Sequence, residues 1–255
     1  MRFFLGAPDP GWLGRAGVPL CVSRRRFAKC KRPRAVAPWM LDSGGFTELS
    51  MHGRWTIGAS EYAVQAREWF DSVGNLEIIA PQDWMCEPVM LEKTGLTVLE
   101  HQRRTVDNLL ELRSIEPSLP WMPVLQGWSL ADYLRCVDLY AAAGVDLRAE
   151  RRVGLGSVCR RQAMDEAVLI VSRLAGDGLS LHGFGIKRTG LRRAHELLGS
   201  ADSMAWSYDA RRMPPLPGHE ARHINCANCL EYALRWRART IAQLAAVPLT
   251  LWSGV

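Results

Sequence analysis

The sequence predicts an α/β fold, specifically a (β/α)8 barrel of the TIM type. Short apolar stretches alternate with stretches of helical spacing along most of the 255 residues, as in parallel sheets with helical crossovers. Seven or eight such units in a chain of this length match the size of the barrel. The alternative is an open doubly wound sheet, although no G-x-G-x-x-G motif opens a helix after the first strand.

In the first half of the chain, buried runs predict strands and amphipathic runs predict helices. A short apolar run at 3–6 is followed by a loop with prolines and glycines, and the second run, 18–22, leads into a basic block. The third run ends at Leu41, before two glycines, and the fourth ends before Pro81. The predicted strands are 3–6, 18–22, 39–41, 76–80 and 122–125, and the predicted helices are 59–70, 98–112 and 130–143, the last closed by Gly144.

The second half continues the alternation. An apolar run begins at Val153, glycines at 176 and 178 break the helix after it, and a proline-rich connector spans 213–218. The predicted strands are 153–157, 179–184 and 201–206, and the predicted helices are 162–174, 191–198 and 227–246. We therefore expect a catalytic barrel over 1–212 and a small C-terminal element over 213–255.

Composition limits the classes of function. Lys and Arg number 32 against 26 Asp and Glu, a net charge of +6, which favours a polyanionic partner such as DNA. The densest basic block, 23–34, includes Arg24, Arg25 and Arg26 and predicts phosphate contacts, with a merely solvated surface as the alternative. No apolar run is long enough to span a bilayer. Scattered cysteines without a secretory signal indicate a reducing, cytoplasmic location; they are Cys21, Cys30, Cys86, Cys136 and Cys159.

Polar residues follow nearly every predicted strand. The first group, Asp42-Ser43-Gly44-Gly45-Phe46, joins a carboxylate to glycines that let a flat ligand approach the main chain. The strand ends also carry Asp83, Gln126, Gly154–Gly156, Lys187 and Asp202. Because chemistry in a barrel gathers at the carboxyl ends of the strands, we expect one shared site. Two carboxylates across a pocket suit glycosyl transfer, one as nucleophile and the other as proton shuttle.

A metal-like cluster lies near the C-terminus. His219, His223, Cys226 and Cys229 fall within eleven residues, and C-x-x-C is a common half of a tetrahedral zinc site. The sequence predicts a closed structural Zn²⁺ site. A redox pair of thiols is the alternative, and Cys226 and Cys229 form the firmer half of the predicted ligand set.

Six short motifs then stand in order along the chain: Asp42-Ser43-Gly44-Gly45-Phe46, Gln82-Asp83-Trp84-Met85-Cys86, Val124-Leu125-Gln126-Gly127, Gly154-Leu155-Gly156, Gly183-Phe184-Gly185-Ile186-Lys187-Arg188 and Ala201-Asp202-Ser203. Together, over residues 39–237, they resemble the tRNA-guanine transglycosylase superfamily. The likeness is closest to its phage branch, which inserts 7-deazaguanine bases into DNA. The resemblance implies a (β/α)8 barrel with a zinc subdomain.

The resemblance also implies residue roles. Asp202 would be the nucleophile that attacks C1′, with Asp209 as a nearby rival, and Asp42 would be the general acid/base. The heterocycle would be held by residues of the strand ends, with Phe46 stacking on it; this set is Ser43, Gly44, Phe46, Asp83, Gln126, Gly127, Gly154, Leu155, Gly156 and Lys187. Arg188, Arg211 and Arg212 would join the basic block at DNA phosphates.

The function expected from this resemblance is a DNA-guanine transglycosylase. It would exchange guanine for a preQ0-like 7-deazaguanine through a covalent Asp–sugar intermediate, in a phage-encoded protection against restriction. Its expected partners are DNA and the deazaguanine base, with no membrane, and a homodimer is expected by analogy. Two alternatives remain open: action on tRNA, or a non-catalytic zinc-containing nucleic-acid-binding protein.

Overall fold

The computed structural model describes residues 1–27, 33–158 and 165–246. Eight strands within these residues form one parallel sheet, which confirms the α/β prediction. The strands are β1 (Arg2–Ala7), β2 (Leu20–Ser23), β3 (Trp39–Asp42), β4 (Leu76–Ile79), β5 (Val124–Leu125), β6 (Val153–Leu155), β7 (Leu181–Gly183) and β8 (Leu198–Ser203).

Helices connect successive strands in most crossovers. The described residues contain ten: α1 (Arg24–Phe27), α2 (Gly45–His52), α3 (Ala59–Val73), α4 (Pro88–Thr94), α5 (Val98–Ile115), α6 (Leu130–Ala142), α7 (Asp165–Gly176), α8 (Arg188–Ala194), α9 (Ala205–Ala210) and α10 (Leu230–Ala245). A 3-10 turn covers Pro10–Gly14. Thr97 and Ser129 begin α5 and α6 with reciprocal capping boxes, which satisfy N–H groups that a helix leaves open at its start.

The strand order is β4-β3-β2-β1-β8-β7-β6-β5, so the first strand lies in the middle of the sheet. All pairs are parallel, and the register aligns Ser23 with Asp42 and Phe4 with Asp202. The carboxyl ends of the strands therefore meet at one edge. This register places the acidic strand ends near one another.

The ends of this order, β4 and β5, do not pair as strands. An isolated parallel bridge joins Ile79 to Trp121, where Ile79 N–H donates to Pro120 O at 2.9 Å and Met122 N–H donates to Ile79 O at 3.0 Å. The ladder ends on both sides of this bridge because Pro120 has no N–H to donate to β4 and Pro81 has none to donate to the strand opposite. The described strands thus form an eight-stranded parallel half-barrel sheet, and the closed (β/α)8 barrel expected from the sequence stays a prediction.

Alternate side chains of the strands occupy the two faces of the sheet. Phe3 and Leu5 belong to the main core beneath the helices, whereas Phe4 lies in a smaller interior cluster. That cluster contains Phe4, Cys21, Met40, Ile78, Ala80 and Met122. The interior is therefore filled with apolar side chains below the edge at which the polar groups gather.

The region of β8 differs from the sequence prediction. Leu198 begins the strand instead of ending a helix, and Trp206 lies in α9 instead of a strand. Two-sided pairing of β8 with β1 and β7 overrides local preference, and the Trp206 indole N–H donates to Gly6 O at 2.9 Å. The sequence analysis also did not predict the short helices α2, α4 and α9, because each is too short to show a helical spacing of apolar residues.

The last helix packs back on the beginning of the chain. In α10, Trp236 contacts the Phe3 ring with centroids 6.3 Å apart, and Arg237 donates to Phe3 O at 3.3 Å. No helix among the described residues is long and apolar enough to cross a membrane. The boundary between residues 212 and 213 stays a prediction.

Candidate active site and metal centre

A cavity of about 450 Å³ opens at the carboxyl edge of the sheet. Four carboxylates from three segments of the chain line it: Asp42, Asp83, Glu87 and Asp202. Arg26 also lines the cavity. Such a concave site with converging polar groups is the usual form of a ligand pocket.

Asp42 ends β3 and is partly buried. The Ser23 hydroxyl and the Gly44 N–H donate to its carboxylate, and Gly44 adopts a left-handed conformation with φ of 82°. Burial and then the negative charge of Asp202 raise the pKa of Asp42, despite these hydrogen bonds and the positive charge of Arg24. Asp42 therefore holds a proton more readily than an ordinary aspartate, as a general acid requires.

The loop after Asp42 is held by a buried ion-pair network. Glu48 is fully buried and accepts from Arg24 at 2.8 Å, Arg25 at 2.6 Å and the Thr56 hydroxyl at 2.6 Å. Burial alone would raise the pKa of Glu48, but the Thr56 hydrogen bonds and the two arginines outweigh it and lower the pKa. Arg24 also donates to Ser43 O at 3.3 Å, so Arg24 and Arg25 serve the loop, while Arg26 remains exposed.

Asp83 lies in an irregular segment, 80–87, that is buried throughout. Side chains of α5 satisfy its main chain: Asn108 accepts from Gln82 N–H at 2.8 Å, Thr105 accepts from Trp84 N–H at 2.9 Å, and His101 Nδ1 lies 2.7 Å from Met85 O. Buried backbone groups need such partners when no ladder supplies them. The helix therefore holds the segment that presents Asp83.

The Asp83 carboxylate accepts from Gln126 Nε2 at 2.5 Å. Burial, and then the charge of Asp42, raise the pKa of Asp83 to about 7, although the Gln126 hydrogen bond opposes the shift. Asp83 thus changes charge near neutral pH. Gln126 itself follows β5 and is fully buried, so it supports Asp83 from behind the cavity wall.

Ser157 extends this network, and the sequence prediction missed it. Its hydroxyl accepts from Cys86 N–H at 2.8 Å and lies 2.7 Å from Gln126 Oε1 and 3.0 Å from Glu87 Oε2. The single hydroxyl proton of Ser157 can be donated to Gln126 Oε1 or to Glu87 Oε2, but not to both. The hydrogen bonding of this network therefore depends on which of its groups are protonated. Ser157 has a φ of 57°, unusual for a residue with a side chain.

A side chain at Gly156, next to Ser157, would displace the buried amide of Gln126. A Cβ there would stand 2.2 Å from Gln126 Nε2, and the Tyr133 hydroxyl donates to Gly156 O at 2.7 Å. Glycine at this position thus allows main chain and amide to pack together at the cavity wall.

Asp202 lies near the end of β8. Its Oδ1 accepts from Gly185 N–H at 2.9 Å, and His182 Nε2 lies 3.4 Å from the same oxygen. Its rival Asp209 is on α9, where it accepts from the Trp236 indole at 2.8 Å, and it does not line the cavity among the described residues. Geometry therefore favours Asp202 as the acid that can act together with Asp42.

Beside the cavity, α8 and α9 carry a basic surface. Lys187, Arg188 and Arg192 adjoin Tyr208 there, and Arg212 stacks over the Tyr208 ring with its guanidinium carbon 3.9 Å from the centroid. Arg239 and Gln243 of α10 extend this surface, and Arg188 donates to Gln243 at 2.9 Å. This cationic and aromatic surface suits a nucleic-acid backbone.

The predicted metal ligands come together between α9 and α10. The ligand atoms of His219, His223, Cys226 and Cys229 all lie within 4.8 Å of one another. His219 Nδ1 is 3.7 Å from both sulfurs, and His223 Nδ1 is 3.6 Å from Cys226 Sγ. Tetrahedral zinc with ordinary bond lengths separates nitrogen and sulfur ligands by about 3.6 Å. The four groups could therefore bind a metal ion.

A carboxylate supports this cluster from outside. His219 Nε2 lies 3.1 Å from Glu231 Oε2, and Arg235 donates to Glu231 at 2.6 Å. Metal-binding histidines usually donate their second ring nitrogen to such a carboxylate, which orients the ring. Leu216 N–H also donates to Cys226 Sγ at 3.4 Å, so the main chain supports a thiolate here.

Comparison with known proteins places this geometry in a family. The model of DpdA, DeoxyPurine in DNA protein A, matches residues 1–254. The chain belongs to the DpdA family. These are DNA-guanine transglycosylases related to the tRNA-guanine transglycosylase superfamily, which confirms the resemblance seen in the sequence. No curated protein matches the chain significantly.

Membership of the DpdA family makes the chain a transglycosylase of deazapurine DNA modification, with DNA as its substrate. The cavity contains five of the residues predicted for the reaction: Asp42, Phe46, Asp83, Gly156 and Asp202. Four others adjoin residues that line the cavity, namely Ser43, Gly44, Gln126 and Gly154. Leu155 belongs instead to the core beneath the helices, and Gly127 lies against α6. Lys187, predicted to bind substrate, lies on the basic surface instead.

Several cavity residues were not anticipated, namely Cys21, Ser23, Met85, Glu87, Phe184 and Met204. The sequence did contain a signal for Ser23, because it is the polar residue directly after the predicted strand 18–22. In the structure it ends β2 and pairs with Asp42. Glu87 follows Asp83 within the buried loop, where spacing in the sequence does not indicate which way a side chain points. Part of the basic block and the arginines at 160 and 161, together with Cys30 and Cys159, lie outside the described residues.

Asp83→Asn is expected to stabilise the free protein above neutral pH. The folded-state pKa of Asp83, about 7, exceeds the pKa of an aspartate in the unfolded chain. The free energy of unfolding therefore falls as pH rises from the unfolded-state pKa to the folded-state pKa. Removal of the charge should raise the free energy of unfolding by about 2 kcal/mol more at pH 8 than at pH 5. Urea denaturation at both values measures this. An equal effect at the two values would contradict the buried-acid assignment.

The purified protein is expected to carry about one zinc ion per chain. His219→Ala and Cys226→Ser should each lose the metal and lower the melting temperature, whereas Glu231→Gln should weaken binding roughly 10- to 100-fold. Metal content by mass spectrometry and thermal melts measure both effects. The exposed His52 provides a matched control in His52→Ala, and a wild-type protein that takes up no zinc would refute the prediction.

Proposed function

We propose that this DpdA-family protein exchanges guanine in DNA for a preQ0-like 7-deazaguanine through a covalent Asp202–sugar intermediate. The observation that carries the proposal is the convergence of Asp42, Asp83 and Asp202, from separate parallel strand ends, on one cavity. Family membership supports the reaction class, and the cavity supports the choice of residues.

In the first half-reaction, Asp202 Oδ2 attacks C1′ while the bond from C1′ to N9 of guanine breaks. The electron pair moves to N9, which takes a proton from Asp42. The raised pKa of Asp42 supports this role. The products are free guanine and a sugar ester of Asp202.

The second half-reaction reverses these steps with the incoming base. Ionised Asp42 accepts its N9 proton, N9 attacks C1′, and the Asp202 carboxylate leaves. Each bond broken is replaced by another of the same kind, so neither ATP nor a redox cofactor is needed. The two halves use the same acid and the same nucleophile.

Recognition of the base is assigned to Asp83 and its neighbours. An ionised Asp83 can accept hydrogen bonds from N1–H and the exocyclic amine, an edge that guanine and 7-deazaguanine share. Gly156 lets the main chain approach the ring, and Phe46, 43% exposed at the cavity, can cover its flat face. Base affinity should therefore require the ionised form of Asp83.

DNA is assigned to the basic surface formed by Lys187, Arg188, Arg192 and Arg212, with Arg211 and Arg26 nearby. A nucleotide must leave the base stack for its C1′ to reach a buried carboxylate, and phosphate contacts on either side would hold it there. Arg24 and Arg25, bound to Glu48, would act on the Asp42 loop.

The same proposal includes the wider organisation of the molecule. The Ile79–Trp121 bridge supports closure of the sheet into a barrel domain over 1–212, and the His/Cys cluster supports structural Zn²⁺ in an element over 213–255. A homodimer, a cytoplasmic location and a phage role in evading restriction stay predictions.

Asp202→Asn is expected to abolish exchange, by a factor on the order of 10⁴ or more, and to prevent any covalent complex with DNA. Asp42→Asn should slow both half-reactions roughly 10²- to 10⁴-fold because the proton shuttle is lost. Incorporation of labelled guanine, with denaturing gels for the covalent complex, measures both.

Asp209→Asn is the matched control for these variants, since Asp209 lies outside the cavity and should retain exchange. Parallel assays on duplex DNA, single-stranded DNA and tRNA separate the substrates. An active Asp202→Asn variant, or a wild-type enzyme that exchanges guanine only in tRNA, would contradict the proposal.

Arg188→Gln combined with Arg212→Gln is expected to weaken DNA binding and reduce the slope of log affinity against log salt by about 1 per lost phosphate contact. Titration of fluorescent DNA over a range of salt concentrations measures the slope. Arg173→Gln, an exposed arginine of α7 paired with Asp177, is the control. Unchanged slopes would remove these two residues from the DNA surface.

A further inference from the structure

His182, in β7, contacts Asp202 but has no part in the base exchange described above. Its side chain is fully buried and lies against the edges of Phe4 and Phe184, with ring centroids 6.1 Å and 4.9 Å away. These two rings fix the plane of the imidazole. His182 therefore approaches the nucleophile from the interior of the sheet and not from the cavity.

The two ring nitrogens have different surroundings. Nδ1 lies 2.9 Å from the buried Ser200 hydroxyl, whereas Nε2 makes no hydrogen bond to any described residue and lies 3.4 Å from Asp202 Oδ1. If the Ser200 hydroxyl donates to Nδ1, the ring proton stands on Nε2, facing Asp202. A buried N–H without a hydrogen bond costs about 1–3 kcal/mol, which an apolar ring of the same shape would avoid.

We propose that His182 is a positioning residue for Asp202, an inference that rests on the proposed function. Gly185 N–H already donates to Oδ1 of the carboxylate, and with substrate bound Nε2–H would become its second donor, so that Oδ2 is left to face C1′. The gap of 3.4 Å is consistent with a contact that closes when substrate binds, since catalytic hydrogen bonds are often long in the free enzyme.

The proposal predicts an asymmetry between the half-reactions. When the ester forms, Oδ1 becomes a carbonyl oxygen and loses negative charge. When the C1′–Oδ2 bond breaks, the electron pair returns to the carboxylate, and two N–H donors stabilise the charge on Oδ1. His182 neither gains nor loses a proton. It therefore favours departure of Asp202 from the sugar more than attack by Asp202.

His182→Phe keeps the ring but removes the donor, and it tests this asymmetry. Discharge of the covalent DNA complex by added base should slow roughly 10- to 100-fold, as expected for one hydrogen bond to a charged group. Formation of the complex should slow several-fold less, so the covalent fraction at steady state should rise. His182→Gln, which retains an N–H donor, should recover part of the discharge rate, and Ser200→Ala should give an intermediate effect.

A merely structural role predicts another pattern. Equal slowing of both half-reactions in a folded His182→Phe protein, or a His182→Gln variant no faster than His182→Phe, would overturn the proposal. Nitrogen NMR of ¹⁵N-labelled wild-type imidazoles is independent of any variant's folding. A proton on Nε2 of His182 supports the proposal, and a neutral ring protonated on Nδ1 refutes it. Absence of any covalent complex in the wild type would instead refute the proposed function itself.

Discussion

The site depends on the hydrogen bonding of a buried segment that is neither helix nor strand. Ala80 N–H donates to Leu41 O of β3 at 2.9 Å, and for the rest of residues 80–87 Asn108, Thr105 and His101 of α5 supply donors and acceptors in place of a ladder. Without them the segment would have to be exposed, since unpaired buried main-chain groups are costly. Exposure would hydrate Asp83 and return its pKa toward that of an ordinary carboxylate. A helix remote from the chemistry thus controls the acidity of a residue in the cavity.

The acidic residues near the Asp42 loop have pKa values shifted in opposite directions, according to the charges of their neighbours. Glu48 is buried against two arginines and a threonine, and its pKa is lowered. Asp42 and Asp83 are buried facing other carboxylates, and their pKa values are raised. The first arrangement stabilises a loop, whereas the second destabilises the ionised form of both aspartates and keeps a proton on Asp83 up to a pH of about 7. Acids pushed in opposite directions by environment are typical of sites that carry out proton transfer.

Site residues whose position follows from the direction of a strand could be predicted from the sequence. Those whose position follows from packing between elements could not. Asp42 and Asp202 end parallel strands, so their proximity follows from the βα alternation alone. Ser157 reaches the site through an unusual φ that no composition indicates. His182 is a strand residue that the sequence does not single out, and its approach to Asp202, twenty residues later, follows only from the pairing of β7 with β8. The basic block was read as a DNA contact, but two of its arginines face Glu48, an ion pair that only the folded loop creates. The start of β8 was misassigned because two neighbouring strands override local helix preference.

The central position of β1 has a consequence for how the molecule matures. Its partner on one side, β8, follows it by almost two hundred residues, and this pairing sets Asp202 beside Phe4. A growing polypeptide that has completed β2, β3 and β4 already contains Asp42 and Asp83 but lacks Asp202, the nucleophile of the proposed reaction. Under that proposal, the chain becomes competent only when the last strand docks, and a partly synthesised chain forms no covalent adduct with DNA through Asp202.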